Sequence, residues 1–162
     1  MCSFHSASSF RSGCARLAHA FTLRWTMLLL ALCAGVLLQA APAAADVIAK
    51  VDVASQSMTV IVDGAVQAVW SVSTARNGYY TPRGVYRAQA LQRMHYSKKY
   101  HNSPMPFSVF FKGGYAVHGT SYVRQLGKAA SHGCVRLAPQ NAAALYQLIR
   151  QHGIAEARII IS

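Results

Sequence analysis

The chemistry of this chain concentrates in residues 117–137, VHGTSYVRQLGKAASHGCVRL. His118-Gly119-Thr120 opens the segment and Ser131-His132-Gly133-Cys134-Val135-Arg136 closes it. Two imidazoles and one thiol therefore fall within 17 residues. A free thiol titrates near 8.5, so only a few per cent is thiolate at neutral pH. An imidazole within hydrogen-bond reach can take its proton and later return it to a leaving group. Attack on a carbonyl then leaves an oxyanion that preorganised N–H donors must hold. Gly133 has no Cβ, so the backbone before Cys134 can come close to a substrate carbonyl. The positive charge of Arg136, with Arg124 or Lys128, favours the thiolate.

Spacing leaves both histidines open as the base. In an extended segment His132 points the same way as Cys134, but a residue so near in sequence has poor geometry for proton transfer. His118 ends a strand and can reach Cys134 across a loop, and the geometry-first criterion favours it. Two other readings compete. A buried free cysteine is commonly an inert packing group. His118, His132 and Cys134 also form a conceivable set of zinc ligands. Against zinc stand the lack of any Cys-x-x-Cys or His-Glu-x-x-His pattern and a total of only four acidic residues. No metal and no cofactor is expected.

The elements that must position these residues lie downstream of a separate N-terminal segment. Arg11, Arg16 and Arg24 precede an uncharged run of 12 residues, 27–38, and Ala43-Ala44-Ala45 supplies an Ala-x-Ala site before Asp46. That is the pattern of a secretory signal peptide over residues 1–45. An uncleaved anchor is the alternative, because residues 25–45 are uncharged. Lipidation at Cys33 is disfavoured by Leu32, where a small residue is wanted. The reading implies an exported protein working in the periplasm.

The whole chain has 162 residues, 16 Lys+Arg against 4 Asp+Glu, and 53% hydrophobic residues. That hydrophobicity excludes a disordered chain, and the length excludes several domains. Cys2, Cys14 and Cys33 leave with the presequence, so no disulfide scaffold is available to residues 46–162. The remaining domain carries thirteen Lys/Arg against four acids, a net charge of +9. It is long enough to bury a modest core without staples.

Residues 47–53, 58–62 and 66–70 read as strands, with Asp63-Gly64 as a hairpin turn. Residues 73–84 read as a turn-rich loop and 85–91 as a further strand. Residues 94–106 contain Ser103-Pro104 and Met105-Pro106, which predicts an irregular stretch unsuited to helix or central strand. Residues 107–111 and 115–117 read as strands around Gly113-Gly114. One helix is expected, opened by Pro139, lined on one face by Ala142, Leu145, Leu148, Ile149 and His152, and ended by Gly153. Residues 158–161 close the chain as a strand. The expected class is α+β, predominantly β.

His-Gly-Thr followed by Ser-His-Gly-Cys-x-Arg resembles the signature of the L,D-transpeptidase catalytic domain, the YkuD family. Thr81-Pro82-Arg83-Gly84 is similar to that family's Thr-Pro-x-Gly loop, and Met105-Pro106 with Gly113-Gly114-Tyr115 to its lead-in to the histidine. The resemblance covers essentially all of 46–162. Many members have Asn where this chain has Arg136. The resemblance implies a mixed β-sheet sandwich or barrel with one C-terminal helix. It also implies a reaction on the tetrapeptide stems of peptidoglycan, with Cys134 as nucleophile and His118 as base. A thioester forms on Cys134 as the terminal D-Ala leaves. The oxyanion would rest on backbone N–H groups near Gly133 and Cys134. Ser131 would fix the loop and His132 would shape the site. Thr120 would orient His118 or meet substrate.

The acceptor stays open between a second stem peptide, a free D-amino acid, the amine of an outer-membrane protein, and water, which would make the enzyme an L,D-carboxypeptidase. Arg136, Arg83 and Arg124 could hold a substrate carboxylate. Tyr96, with His95, Lys98, Lys99 and Tyr100, could wall the donor site. A sortase-like cysteine transpeptidase is a second enzyme reading, although sortases place their histidine far upstream. A non-catalytic wall-binding module is a third. Nucleic acid is not an expected partner.

Overall fold

The computed structural model describes residues 46–162. The presequence expected over 1–45 lies outside the described residues. Two sheets and one long helix enclose a single core.

The first sheet begins with β1 (Val47–Asp52), β2 (Ser57–Val62) and β3 (Ala65–Ser71). Alternation builds it: Val47, Ala49 and Val51 of β1 and Met58, Val60 and Val62 of β2 face the core. Asp63 and Gly64 join β2 to β3 with φ of 51° and 77°. Two positive φ angles define a type I′ turn, which matches the twist of the strands it joins. β4 (Gly84–Arg87) and β9 (Ala157–Ile161) complete the order β3-β2-β1-β9-β4. The last strand is thus interior: it pairs parallel to β1 and antiparallel to β4.

The second sheet has the order β5-β6-β7-β8, with β5 (Ala90–Ser97), β6 (Ser103–Lys112), β7 (Tyr115–Gly119) and β8 (Val135–Leu137). The expected strand over 85–91 is really two strands in different sheets. Ala88 and Gln89 separate them, their N–H groups bonding Ala157 in one sheet and Phe110 in the other.

Residues 94–106 are not irregular, as the prolines suggested. They form the outer half of a hairpin, with Met94 opposite Pro106 and Tyr96 opposite Pro104. Pairing of β6 with β7 involves Val109, Phe110 and Lys112, so at the prolines β5 is the only ladder partner. Prolines two residues apart put both missing donors on one edge, the edge away from β5. Phe107, at φ 55°, kinks β6 where the two-stranded arm leaves the sheet.

Helix α1 (Pro139–His152) packs on β6 and β7 through Ala142, Leu145 and Ile149, and ends at Gly153. Pro139 opens it where its missing N–H costs nothing.

A buried glutamine links the first sheet to the loop that follows it. Gln56 Oε1 accepts from the Thr74 N–H at 2.8 Å. Its Nε2 donates to Thr74 Oγ1 and to the Val53 carbonyl. Gln56→Ala would leave the buried Thr74 N–H without a partner. The expected cost is about 1–3 kcal/mol. A urea titration checks it, and an unchanged midpoint would contradict the brace.

Candidate active site

β7 and β8 run parallel, with His118 registered to Arg136 and Val117 to Val135. A parallel pair cannot be joined by a tight turn; it needs a crossover of a dozen or more residues. The 16-residue offset between His118 and Cys134 is that crossover. One register step before Val117 sets Ala116 level with Cys134, so His118, Arg136 and Cys134 share a sheet face. All three line one cavity of about 700 Å³.

His118 is buried, and its Nδ1 lies 2.7 Å from the Gly119 carbonyl oxygen. A carbonyl can only accept, so Nδ1 carries the proton and Nε2 keeps its lone pair. Burial pushes the His118 pKa down to about 4, against the opposing Gly119 hydrogen bond. The imidazole is therefore neutral at ordinary pH. Cys134 is half-buried, its Sγ 3.8 Å from the Gly114 carbonyl. Burial raises its pKa, outweighing the Ala116 backbone and the Arg136 charge. The expectation that nearby cations favour thiolate is corrected here: desolvation wins, and the pair is a neutral thiol with a neutral imidazole.

The loop carrying the thiol is held by its own backbone partners. Ser131 Oγ donates to the Cys134 carbonyl at 2.6 Å and accepts from the Gly133 N–H at 3.0 Å. These two bonds brace the loop at Gly133 and Cys134. The second of them occupies the Gly133 N–H, which removes it from the expected oxyanion donors. Thr81 Oγ1 donates to the Gly133 carbonyl at 2.9 Å and accepts from the Ala75 N–H. The role of Thr81 was not expected, although the Thr-Pro motif around it was visible.

The need for glycine at 133 also has a different cause from the one expected. A Cβ there would lie 2.6 Å from Tyr115 Cε1 and 2.9 Å from the Tyr80 carbonyl oxygen, at φ 132°. Packing under the loop, rather than room for substrate above it, excludes a side chain.

His132 stands at the cavity wall, stacked on Tyr100 with centroids 4.6 Å apart and edge-on to Tyr79 at 4.6 Å. Burial, then Arg76, Arg136 and Lys99, lower its pKa. Thr120 is buried; its Oγ1 accepts from the Tyr122 N–H, and it lines the cavity without a hydrogen bond to His118. The Gly119 carbonyl, not Thr120, orients the imidazole. Arg136 Nη1 reaches Gln125 Oε1 at 3.1 Å, and its guanidinium lies 5.9 Å from the Tyr122 ring centroid.

Tyr96 is not brought to the site. His95 and Ser97 line the cavity while Tyr96 between them points to solvent, because strand side chains alternate. Tyr100 takes the place expected for Tyr96. Arg83 and Arg124 do not line the cavity, whereas Arg76 does. Among the described residues no cluster of histidine, cysteine and carboxylates suits a metal ion.

Gly133→Ala is expected to destabilise the domain by at least about 1–3 kcal/mol, the cost of overpacking. Chemical denaturation checks this, and a variant as stable as the parent would refute the close packing.

The family model described as the L,D-transpeptidase catalytic domain, YkuD, matches residues 46–160. No curated protein matches the chain in sequence. An L,D-transpeptidase from Mycobacterium smegmatis superposes with a TM-score of 0.66 at 26% identity, over 73% of this chain and 59% of that one. One from Stackebrandtia nassauensis gives 0.64 at 25% identity, over 72% and 55%. L,D-transpeptidase 3 from Mycobacterium tuberculosis, in complex with a faropenem-derived adduct, gives 0.62 at 20% identity, over 73% and 60%. The last likeness is one of fold. The chain spans less than two thirds of the length of these solved proteins. With nearly all of the described domain inside the family match, the two-sheet fold and the His-Gly-Thr and Ser-His-Gly-Cys elements find their common explanation: this chain belongs to the L,D-transpeptidase catalytic domain family, YkuD.

Proposed function

We propose that the protein is an exported, periplasmic L,D-transpeptidase that acts on peptidoglycan stem peptides through a thioester on Cys134. The observation that carries this reading is the tautomer of His118. Its Nδ1–H is tied to the Gly119 carbonyl, so the free lone pair of Nε2 belongs to the cavity that holds the Cys134 thiol.

The reaction follows from two neutral partners. His118 Nε2 takes the thiol proton as Cys134 Sγ attacks the carbonyl of the third stem residue. The Gly133 N–H is committed, which leaves the Cys134 N–H as the loop's donor to the oxyanion. Collapse expels the terminal D-Ala amine, which departs with the proton held by His118. An acceptor amine then attacks the thioester, loses its proton to Nε2, and the sulfur leaves and is reprotonated. His132 is assigned to the wall rather than to the base, because Tyr79 and Tyr100 pack its ring in place at the rim.

The cavity's charge fits such a substrate. Arg76, Lys98, Lys99 and Arg136 line it, and none of the four acidic residues does. The stems present carboxylates, and steering into a cationic cleft raises their local concentration. An outer-membrane protein offering an amine is an alternative acceptor for the same thioester.

The direct test incubates the purified protein with a disaccharide-tetrapeptide and reads products by mass spectrometry. Cross-linked dimers or exchange of the terminal D-amino acid are expected, and both should be absent with Cys134→Ala. Tripeptide alone would mean that water is the acceptor. His118→Ala should slow acylation at least about a hundredfold, the scale of general-base catalysis. His132→Ala should slow it far less, and equal losses would reverse the assignment.

The pH profile makes a separate prediction. The base works only when neutral, so kcat/KM for acylation should be flat through neutral pH. It should fall as pH drops through about 4, the His118 value. An acid limb near 6.5, the ordinary histidine value, would exclude His118 as the base.

A further inference from the structure

Three successive peptide planes surround the thiol residue, and Ser131 holds two of them. Its Oγ accepts from the Gly133 N–H, which belongs to the His132–Gly133 plane, and donates to the Cys134 carbonyl, which belongs to the Cys134–Val135 plane. The plane between them, Gly133–Cys134, carries the Cys134 N–H and takes part in neither bond. Its partner comes from the loop between β3 and β4, where Thr81 Oγ1 donates to the Gly133 carbonyl at 2.9 Å. Such a plane needs a partner. Gly133 sits at φ 132°, and a glycine offers little resistance to its peptide turning over. In a trans peptide the N–H points opposite to the C=O, so whatever fixes the Gly133 carbonyl also aims the Cys134 N–H.

The Thr81 hydroxyl is itself fixed. It accepts from the Ala75 N–H at 3.0 Å, and Ala75 is bridged to Ser131. A carbonyl can only accept, so the hydroxyl proton lies toward Gly133. Thr81 is buried, its branched Cβ stiffens χ1, and Pro82 confines its backbone to extended conformations. The bonds therefore run one way, from the Ala75 N–H through the Thr81 hydroxyl to the Gly133 carbonyl. Donation to a peptide carbonyl polarises the N–H of the same plane, as successive bonds in a chain reinforce one another.

We propose that Thr81 is a positioning residue for thioester formation: its hydroxyl holds the Gly133–Cys134 peptide so that the Cys134 N–H stays aimed at the oxyanion and polarised toward it. This rests on the reading of Cys134 as the nucleophile. Thr81 touches neither the thiol nor the substrate and acts only through that peptide. Its effect belongs to the transition state, where the oxyanion forms, and not to the binding of the peptide.

The test removes the hydroxyl and keeps the shape. Thr81→Val and Thr81→Ser are compared with the parent on two reactions of the same thiol. One is thioester formation with a disaccharide-tetrapeptide in a single turnover, read by mass spectrometry. The other is alkylation by iodoacetamide, in which sulfur bonds to carbon as iodide leaves and His118 takes the proton, and no oxyanion develops. Thr81→Val should slow thioester formation by about ten- to a hundredfold, up to the lower end of what loss of a whole oxyanion donor costs. Its alkylation rate should match the parent's. Thr81→Ser keeps the donor and should restore thioester formation. Tetrapeptide affinity, measured on Cys134→Ala protein, should be the same with threonine or valine at 81, so that the loss falls on kcat. A loop that had merely lost its shape would lose alkylation and affinity along with acylation, and that pattern would overturn the role. A valine variant that acylates as fast as the parent would overturn it too, as would a serine variant as slow as valine. Thr81→Ala gives the same comparison should the valine variant not fold. A parent protein that forms no thioester would sink the proposed function and this role with it, whereas a parent that acylates with the valine variant keeping pace sinks the role alone.

Discussion

The site depends on one constraint: the loop before β8 must satisfy its backbone without a strand on its outer side. Buried N–H and C=O groups do not go unpaired. The segment after β3 supplies the partners. Ser73 exchanges both backbone bonds with Arg136. The Thr74 carbonyl accepts from Ala130 and Ser131, the Ser131 carbonyl accepts from Arg76, and Ser73 Oγ donates to Lys128. Thr74 is itself held by Gln56. A line of hydrogen bonds thus runs from the first sheet through Gln56 and Thr74 to Ser131, and from Ser131 to both sides of the thiol residue. The His118 and Cys134 side chains belong to the second sheet and its thiol loop, but the bonds that hold that loop come from the first.

The electrostatics follow from the same enclosure. In water, four cations near a thiol and an imidazole would favour thiolate. Here burial outweighs the Arg136 charge at the thiol and raises it, while at the buried histidine burial and the Arg136 charge act together to lower it. On the proposed mechanism the proton moves only when a substrate carbonyl gives the sulfur somewhere to go. A resting thiol of this kind is also protected from adventitious oxidation, because thiolate is the form that oxidants attack.

Much of this was legible in the residues. Asp63-Gly64 marked its hairpin because only one turn geometry suits that pair. Pro139 and Gly153 bracketed the helix, and the His-Gly and Ser-His-Gly-Cys elements marked the cavity. What stayed hidden was tertiary. Pro104 and Pro106 argue against a strand until it is known that β7 stops short of them. β8, three residues long, has no periodicity to detect. Tyr96 and Tyr100 look equivalent in sequence, and only the strand phase separates them. Gly133 was read as an opening toward substrate, because Tyr115 and the Tyr80 carbonyl beneath it come from distant segments. Arg76 carried no local sign of its position.

The interior placement of β9 has a consequence for how the domain is made. β1 finds one neighbour, β2, within a few residues, but its other neighbour, Ala157–Ile161, lies 110 residues further along the chain. Until those residues emerge, β1 presents an open edge and β4 has no ladder at all. Such long-range pairing slows folding, since loop closure precedes any reward from contact. An open edge is also a template for pairing between chains. Until β9 pairs, the first sheet is left open at its centre, a state exposed to aggregation if it lingers.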